Sequence, residues 1–307
     1  MLETMTEKLL RLVKNNIVCK IPNRSYIRLN GSDTEHFLQG ITTNNLTKLI
    51  QETPIANKYP AISSLFLTPH GKIVADCFII KMQSGYLIDV GNRSYQDLID
   101  LFKRRKLSSN VSITPIIRNI YQFLPPLIAT TSPNEQKITT TNDLFPQISN
   151  EYYQDPRHWK LGLRILSQND DIQGIERENY DFENHNFYKI LLRYLELIED
   201  VGYAYGKRLV PQDINLDNEL YISRTKGCYT GQEIVNKLRN GILFPRYQLI
   251  AGVGFDSRLK DADVDQMLKN LGVNTHIQRD ILLALISYIN NDGQIPQDYC
   301  MKLIQRS

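Results

Sequence analysis

Two apolar, β-branched runs constrain this chain more than any other feature: AISSLFL at 61–67 and KIVADCFIIK at 72–81, joined by Thr68–Gly71. Branched side chains suit a pleated strand, and Pro69 and Gly71 supply turn chemistry, so the pair reads as an antiparallel hairpin. A further strand is expected at Tyr86–Val90. The run RSYQDLIDLFKRRKL at 93–107 then carries Leu98, Leu101 and Phe102 at helical period. Strands leading into a helix in this way predict an α+β layer. Upstream, Tyr26, Ile27 and Leu29 mark a strand over 25–29 that Asn30-Gly31 breaks. Ser32-Asp33-Thr34-Glu35 fits a capping box and opens a short helix through Phe37 and Leu38, stopping at Gly40.

At 307 residues, two or three domains are expected. Residues 108–155 are polar and punctuated by Pro115, Pro125, Pro126, Pro133 and Pro146. Short strands are predicted at VSITPII (111–117) and PLIATT (126–131), with a surface loop at 132–143. Residues 187–200 are predicted to form an amphipathic helix with Phe187, Ile190, Leu191, Tyr194, Leu195 and Ile198 on one face. The stretch LVPQDINLDNELYISRT (209–225) reads as loop and short strand. RYQLIAGVGF (246–255) reads as a strand, 261–272 as a helix closed by Gly272, and 279–293 as either helix or buried strand.

Charge and cysteine usage narrow the setting. The net charge is +3, from 36 basic and 33 acidic residues. That balance lacks the basic bias of a dedicated nucleic-acid binder, so no direct nucleic-acid partner is expected. The one dense basic run, Lys103–Lys106, reads as a solvated helix end. Cys19, Cys77, Cys228 and Cys300 form no C-x-x-C pair, so zinc spacing is missing and no permanently bound metal is expected. Their sparse spread suits a reducing compartment. Glu3 and Glu7 and the lack of a long apolar run make the amino terminus a poor signal peptide. The run ILLALISYI (281–289) is too short to span a bilayer. A cytoplasmic protein without a membrane partner is the expectation.

The decapeptide KGCYTGQEIV (226–235) concentrates the chemistry. Gly227 and Gly231 allow backbone angles closed to other residues and a close approach of main-chain N–H groups to a bound group. Gln232 and Glu233 begin a helix whose amino end carries unpaired donors and partial positive charge. Cys228 lies just before that end, where a thiol can be activated, with Arg224 and Lys226 adding positive charge. A single cysteine is also a common buried filler, and no histidine lies near it in sequence. The stretch Lys226–Glu233 is expected to be a ligand loop.

The whole decapeptide resembles the signature of the YgfZ family of folate-binding iron–sulfur cluster assembly or repair proteins, which is related to the glycine-cleavage aminomethyltransferases. The matching residues are Lys226, Gly227, Cys228, Tyr229, Gly231, Gln232 and Glu233. LNGSDTEHFLQGITTNNL resembles the family's amino-terminal segment through Gly31, Asp33, Phe37, Leu38, Gln39, Gly40 and Thr42. The hairpin with Gly71 and Lys72, the stretch VPQDINLD, and Gly241 and Arg246 agree with it as well. The resemblance covers roughly 25–105 and 187–250. The chain keeps Arg193 but lacks the glycine and proline that family members commonly place after it.

What the resemblance implies is an aminomethyltransferase-like α+β fold of several parts around a central folate channel, with a shortened carboxyl-terminal β-barrel. Residues 1–240 would form the folate-binding region, internally two subdomains, and 241–307 the abbreviated barrel-like domain. The 281–291 run would then be a barrel strand. Tetrahydrofolate or a related folate would be the cofactor. Its binding residues would be Lys226, Gly227, Tyr229, Gly231, Gln232, Glu233, Arg246, Gln39 and Asp33. Asp33 also suits a helix start, Gln39 a cap, and Arg246 or Arg224 a surface ion pair. Glu196 and Glu199 are candidates for holding the pterin. Cys228 would make a redox or partner contact. The implied function is a tetrahydrofolate-binding accessory factor for assembly or repair of four-iron clusters in client enzymes, including tRNA-modifying ones. Its partners would be folate and iron–sulfur client or carrier proteins. The alternative is a folate-dependent aminomethyltransferase moving a one-carbon unit, with Asp97 as the carboxylate beside the reacting nitrogen.

Overall fold

The computed structural model describes residues 17–21, 23–50, 57–124, 149–157, 161–168, 172, 208–253 and 299–305. The strands are β1 (Ile17–Lys20), β2 (Arg24–Asn30), β3 (Lys58–Tyr59), β4 (Ala61–Leu67), β5 (Ile73–Lys81), β6 (Tyr86–Gly91), β7 (Ser112–Ile116), β8 (Asn119–Leu124), β9 (Glu151–Gln154), β10 (Leu163–Ser167), β11 (Tyr247–Val253) and β12 (Tyr299–Gln305). The α-helices are α1 (Thr34–Ile41), α2 (Thr47–Ile50), α3 (Asn92–Lys106) and α4 (Gln232–Arg239), with a 3₁₀ turn at Pro211–Ile214.

The predicted hairpin forms as β4 and β5, paired antiparallel from Ala61↔Ile80 to Phe66↔Ala75, with an irregularity between Phe66 and Leu67. It founds a five-stranded sheet of order β4-β5-β6-β2-β7. One face is covered by the helices. There Phe37 and Phe66 meet Phe102 edge-on, with ring centroids 5.9 and 5.1 Å apart. Each such pair adds about 0.5–1.5 kcal/mol beyond its buried area. The other face divides. Tyr26, Phe78, Ile80 and Leu87 pack against a second five-stranded sheet, β1-β8-β10-β9-β3, through Ile120, Tyr153 and Leu166. Leu65, Leu67 and Ile73 pack against the 209–235 segment through Leu209, Ile222, Tyr229 and Val235. This division is why the hairpin is apolar on alternate residues and also between them.

Several expectations need correction. The capping box at Ser32–Glu35 does not form: α1 has no side-chain cap at Asp33. The Ser32 hydroxyl donates to Asp33 Oδ1 (3.1 Å), and Glu35 accepts from the Tyr86 hydroxyl (3.1 Å). A tertiary donor outcompetes the local one. The helix runs past Gly40 to Ile41. No strand forms in 215–225; the backbone turns instead, with Asn215 left-handed (φ 59°) and Asn218 Oδ1 accepting from Leu220 N (3.1 Å). Short polar side chains offer the main chain local partners in place of a ladder.

The strands of the second sheet went unforeseen, apart from the general expectation of short strands in 108–155. β12 also escaped the sequence reading; it pairs antiparallel with β11, Tyr247↔Gln305 to Val253↔Tyr299. The expected PLIATT strand, the 132–143 loop, the 187–200 and 261–272 helices and the 279–293 run lie outside the described residues. The segment after residue 240 is tied to what precedes it, for Tyr247 N donates to Asp213 Oδ1 (3.0 Å).

Candidate functional site

The signature loop is wedged between the hairpin turn and the end of α1. Gly231 caps α4 at φ +86°, and a Cβ there would lie 2.7 Å from the Thr68 carbonyl oxygen and 3.2 Å from Gly71 Cα. Gly71 in turn (φ +68°) would place a Cβ 2.9 Å from Ile234. The two glycines therefore let two main chains touch. On its other side α4 is gripped by the VPQDINLD stretch: Gln212 Nε2 donates to Val235 O (3.3 Å), and Arg239 pairs with Asp217. Asp213 is itself buried and accepts from Val210 N (2.9 Å).

The end of α1 supplies the second wall. A helix leaves its last carbonyls unpaired, and here the signature loop satisfies two of them. Thr230 N donates to Gly40 O (3.2 Å), and Lys226 Nζ donates to Gln39 O (2.7 Å). The same ammonium also donates to the carbonyls of Thr42 and Asn44, and stands 5.1 Å from the centroid of the Tyr229 ring. Burial pushes the Lys226 pKa down to about 7. Burial likewise raises Tyr229 to about 12. Beside this cage lies a sequestered hydroxyl network. Ser64 Oγ meets Thr42 and Thr43 and accepts from Asn44 N (3.0 Å); Thr43 Oγ1 donates to Tyr221 O (2.7 Å).

The expected site residues thus separate. Lys226, Tyr229 and Gly231 are bound into the scaffold. Gln39 spends its side chain locally, accepting from Leu46 N (3.0 Å) and donating to Asn45 Oδ1 (2.9 Å). Asp33 stands at the opposite end of α1, its Oδ2 accepting from Asn110 N (2.7 Å). Along an eight-residue helix that is about 12 Å from the loop. Glu233 is exposed and paired with Lys237 (2.6 Å), whose hydrogen bond lowers its pKa. Gln232 is half-buried and Arg246 exposed. Arg224 pairs with Glu219 (3.3 Å) and Asp97 with Arg208 (2.8 Å), both at the surface. Gly227 and Cys228 are exposed, and a Cβ on Gly227 would meet nothing within 4 Å. Glu196 and Glu199 lie outside the described residues.

Sequence reasoning missed a buried ionic cluster between the two sheets. Asp89 Oδ1 accepts from Arg24 Nε (2.6 Å); Oδ2 accepts from Arg164 Nη1 (3.0 Å) and the hydroxyls of Tyr26 (3.2 Å) and Tyr153. Burial pushes the Asp89 carboxyl up, but Arg24, Arg164 and the Tyr153 hydroxyl outweigh it and leave its pKa below the ordinary value. Asp155 behaves alike, with Arg157 and Arg164 overcoming burial. The guanidinium carbons of Arg24, Arg157 and Arg164 stand 5.7, 4.9 and 4.5 Å from the Phe78 centroid. On the same face, by strand register, are the buried Asp76 and Ser63; the Ser63 hydroxyl has no hydrogen-bond partner among the described residues. The available signal was the acidic residue inside each apolar run, Asp76 in KIVADCFIIK and Asp89 in YLIDV.

Fold and site together define an α+β protein whose exposed cysteine rides on a loop clamped to a helix end and a hairpin turn. No family model matches the chain. It is similar to proteins named iron–sulfur cluster assembly factor IBA57, mitochondrial, or its homologues. The identity is 26% with that of Mycosarcoma maydis, covering 71% of this chain and 52% of the relative. With Dictyostelium discoideum it is 24%, covering 80% and 67%, and with Mus musculus 24%, covering 70% and 60%. The chain thus spans between about half and two thirds of these relatives. Among solved structures, the glycine cleavage system aminomethyltransferase T of Bartonella henselae gives a TM-score of 0.49 at 10% identity, covering 80% of this chain and 69% of that one.

Proposed function

We propose that this chain is a tetrahydrofolate-binding accessory factor for assembly or repair of iron–sulfur clusters, chiefly four-iron ones, in client enzymes that include tRNA-modifying ones. The observation that carries the reading is the exposed Cys228 on its clamped loop, in a chain whose relatives are named iron–sulfur cluster assembly factors. An iron–sulfur cluster takes four thiolates, so Cys228 would contribute one, with a client or carrier protein supplying the others. Among the described residues no group of three or more His, Cys, Asp and Glu is placed to hold a metal. Gly227, bare and unobstructed, lets a partner's main chain approach beside the thiol.

Two groups on the sheet face between the two apolar clusters support a folate: the buried Asp76 carboxylate suits a pterin edge, and the Ser63 hydroxyl, without a hydrogen-bond partner among the described residues, suits a further polar contact. The aminomethyltransferase alternative leaned on Asp97, which stands at the surface in an ion pair. No helix among the described residues is long and apolar enough to cross a membrane. The relatives are named mitochondrial; the sparse cysteines suit either that matrix or the cytoplasm, both reducing, and cell fractionation distinguishes them.

The test uses Cys228→Ala. Its side chain is exposed, so its stability stays within about 0.5 kcal/mol of the parent. We expect it to bind tetrahydrofolate as the parent does and to fail to restore a four-iron enzyme in cells lacking the protein. Full restoration would remove the thiol from the function. Normal cluster-enzyme activity in the deletion cells would sink the assembly reading, and turnover of an aminomethyl donor would favour the transferase. Gly227→Ala is expected to leave stability within about 0.5 kcal/mol, since its Cβ meets nothing, while lowering client activity.

A further inference from the structure

We propose that Lys226 is the positioning residue of the Cys228 loop: its ammonium, caged by the carbonyls of Gln39, Thr42 and Asn44, fixes where the thiol stands. A lysine normally keeps its ammonium in water, yet Lys226 is 7% exposed. Its three acceptors lie where α1 ends and the chain turns toward α2. That end of a helix carries partial negative charge and favours a cation. The loop is held again just after the cysteine, by the buried Tyr229 ring and by Thr230 N on Gly40 O (3.2 Å).

Gly227 and Cys228 are therefore a two-residue exposed span between two anchors on one helix end. Among the described residues neither makes a hydrogen bond of its own. Lys226 is consequently not a ligand-binding cation; its charge is spent inside the protein. An ammonium offers three N–H donors, one for each of the three carbonyls. Among the described residues Tyr229 is the one titratable group facing the ammonium, and no carboxylate pairs with it.

This inference rests on the assembly reading only for the use made of the thiol, and the two are tested separately. Amide hydrogen exchange of Thr230, whose N–H is bonded to Gly40 O, reads the anchor in the whole protein, with the β4–β5 amides as internal reference. In Lys226→Met we expect the Thr230 amide to exchange about ten-fold faster, the reference staying unchanged. Lys226→Arg, which keeps a cation, restores protection.

Equal loop exchange in folded Lys226→Met and the parent overturns the proposal. Should Lys226→Met fail to fold, a Thr230 amide that exchanges at the unprotected rate in the parent overturns it equally. A loosened loop with unaffected four-iron enzymes in cells leaves the anchor standing and counts against the assembly reading. An unchanged loop with Cys228→Ala inactive does the reverse.

Discussion

Asp89→Ala is expected to cost about 3–5 kcal/mol, because it strips the shared acceptor from two buried guanidiniums and two buried hydroxyls at once. The side chains of Arg24 and Arg164 are 2% and 0% exposed, so water cannot replace the lost carboxylate. Urea titration should show a lower midpoint with the slope unchanged. A loss below about 1 kcal/mol would mean the two sheets are not held by this cluster. The pH dependence follows from the direction of the shifts. Asp89 and Asp155 have folded pKa values below their unfolded ones. Between the two values the unfolded chain binds more protons, so stability rises with pH there. The contribution is complete above the ordinary carboxylate value of about 4 and disappears as pH falls through the folded values. Asp89→Ala should therefore show a shallower acid limb than the parent.

Gly231→Ala is expected to cost about 2–4 kcal/mol, the sum of left-handed backbone strain and forced overlap. The new Cβ would fall 2.7 Å from Thr68 O and 3.0 Å from Leu67 Cβ. Thr68 O cannot move away freely, since it holds the hairpin turn by accepting from Gly71 N (2.9 Å). Relief must come from the signature loop, so the variant should lose client activity as well as thermal stability. Gly227→Ala is the contrast. Two glycines four residues apart in the signature then give different answers, one set by crowding and the other by what approaches from outside. A stable Gly231→Ala would show that the loop can retreat from the hairpin at little cost.

Much of the first sheet was legible. β4, β5, β6, β2 and α3 fall where β-branched runs, turn residues and helical period place them, because each is decided within its own stretch of chain. The helix beginning at Gln232 was legible for the same reason. The second sheet was not. Its strands β9 and β10 are four and five residues long, and EYYQ and LRILS carry little pattern of their own. They become strands by pairing with β8 and with each other. The failure of the capping box had the same origin, since Glu35 found a hydroxyl on β6 in place of its own helix start.

For the candidate site, the decapeptide alone marked the segment that the fold clamps and the thiol that it leaves exposed, because glycine pairs and a lone cysteine before a helix are local signals. The roles inside it were decided by tertiary structure. Whether a glycine serves a contact or an approach depends on what lies within 4 Å of it, and Thr68 and Gly71 come from a hairpin far away in sequence. Whether Lys226 serves a ligand or the scaffold depends on three carbonyls at the end of α1, between 182 and 187 residues distant along the chain. Local pattern determined where backbone freedom and reactive groups were placed; only the folded chain determined which of them were already satisfied.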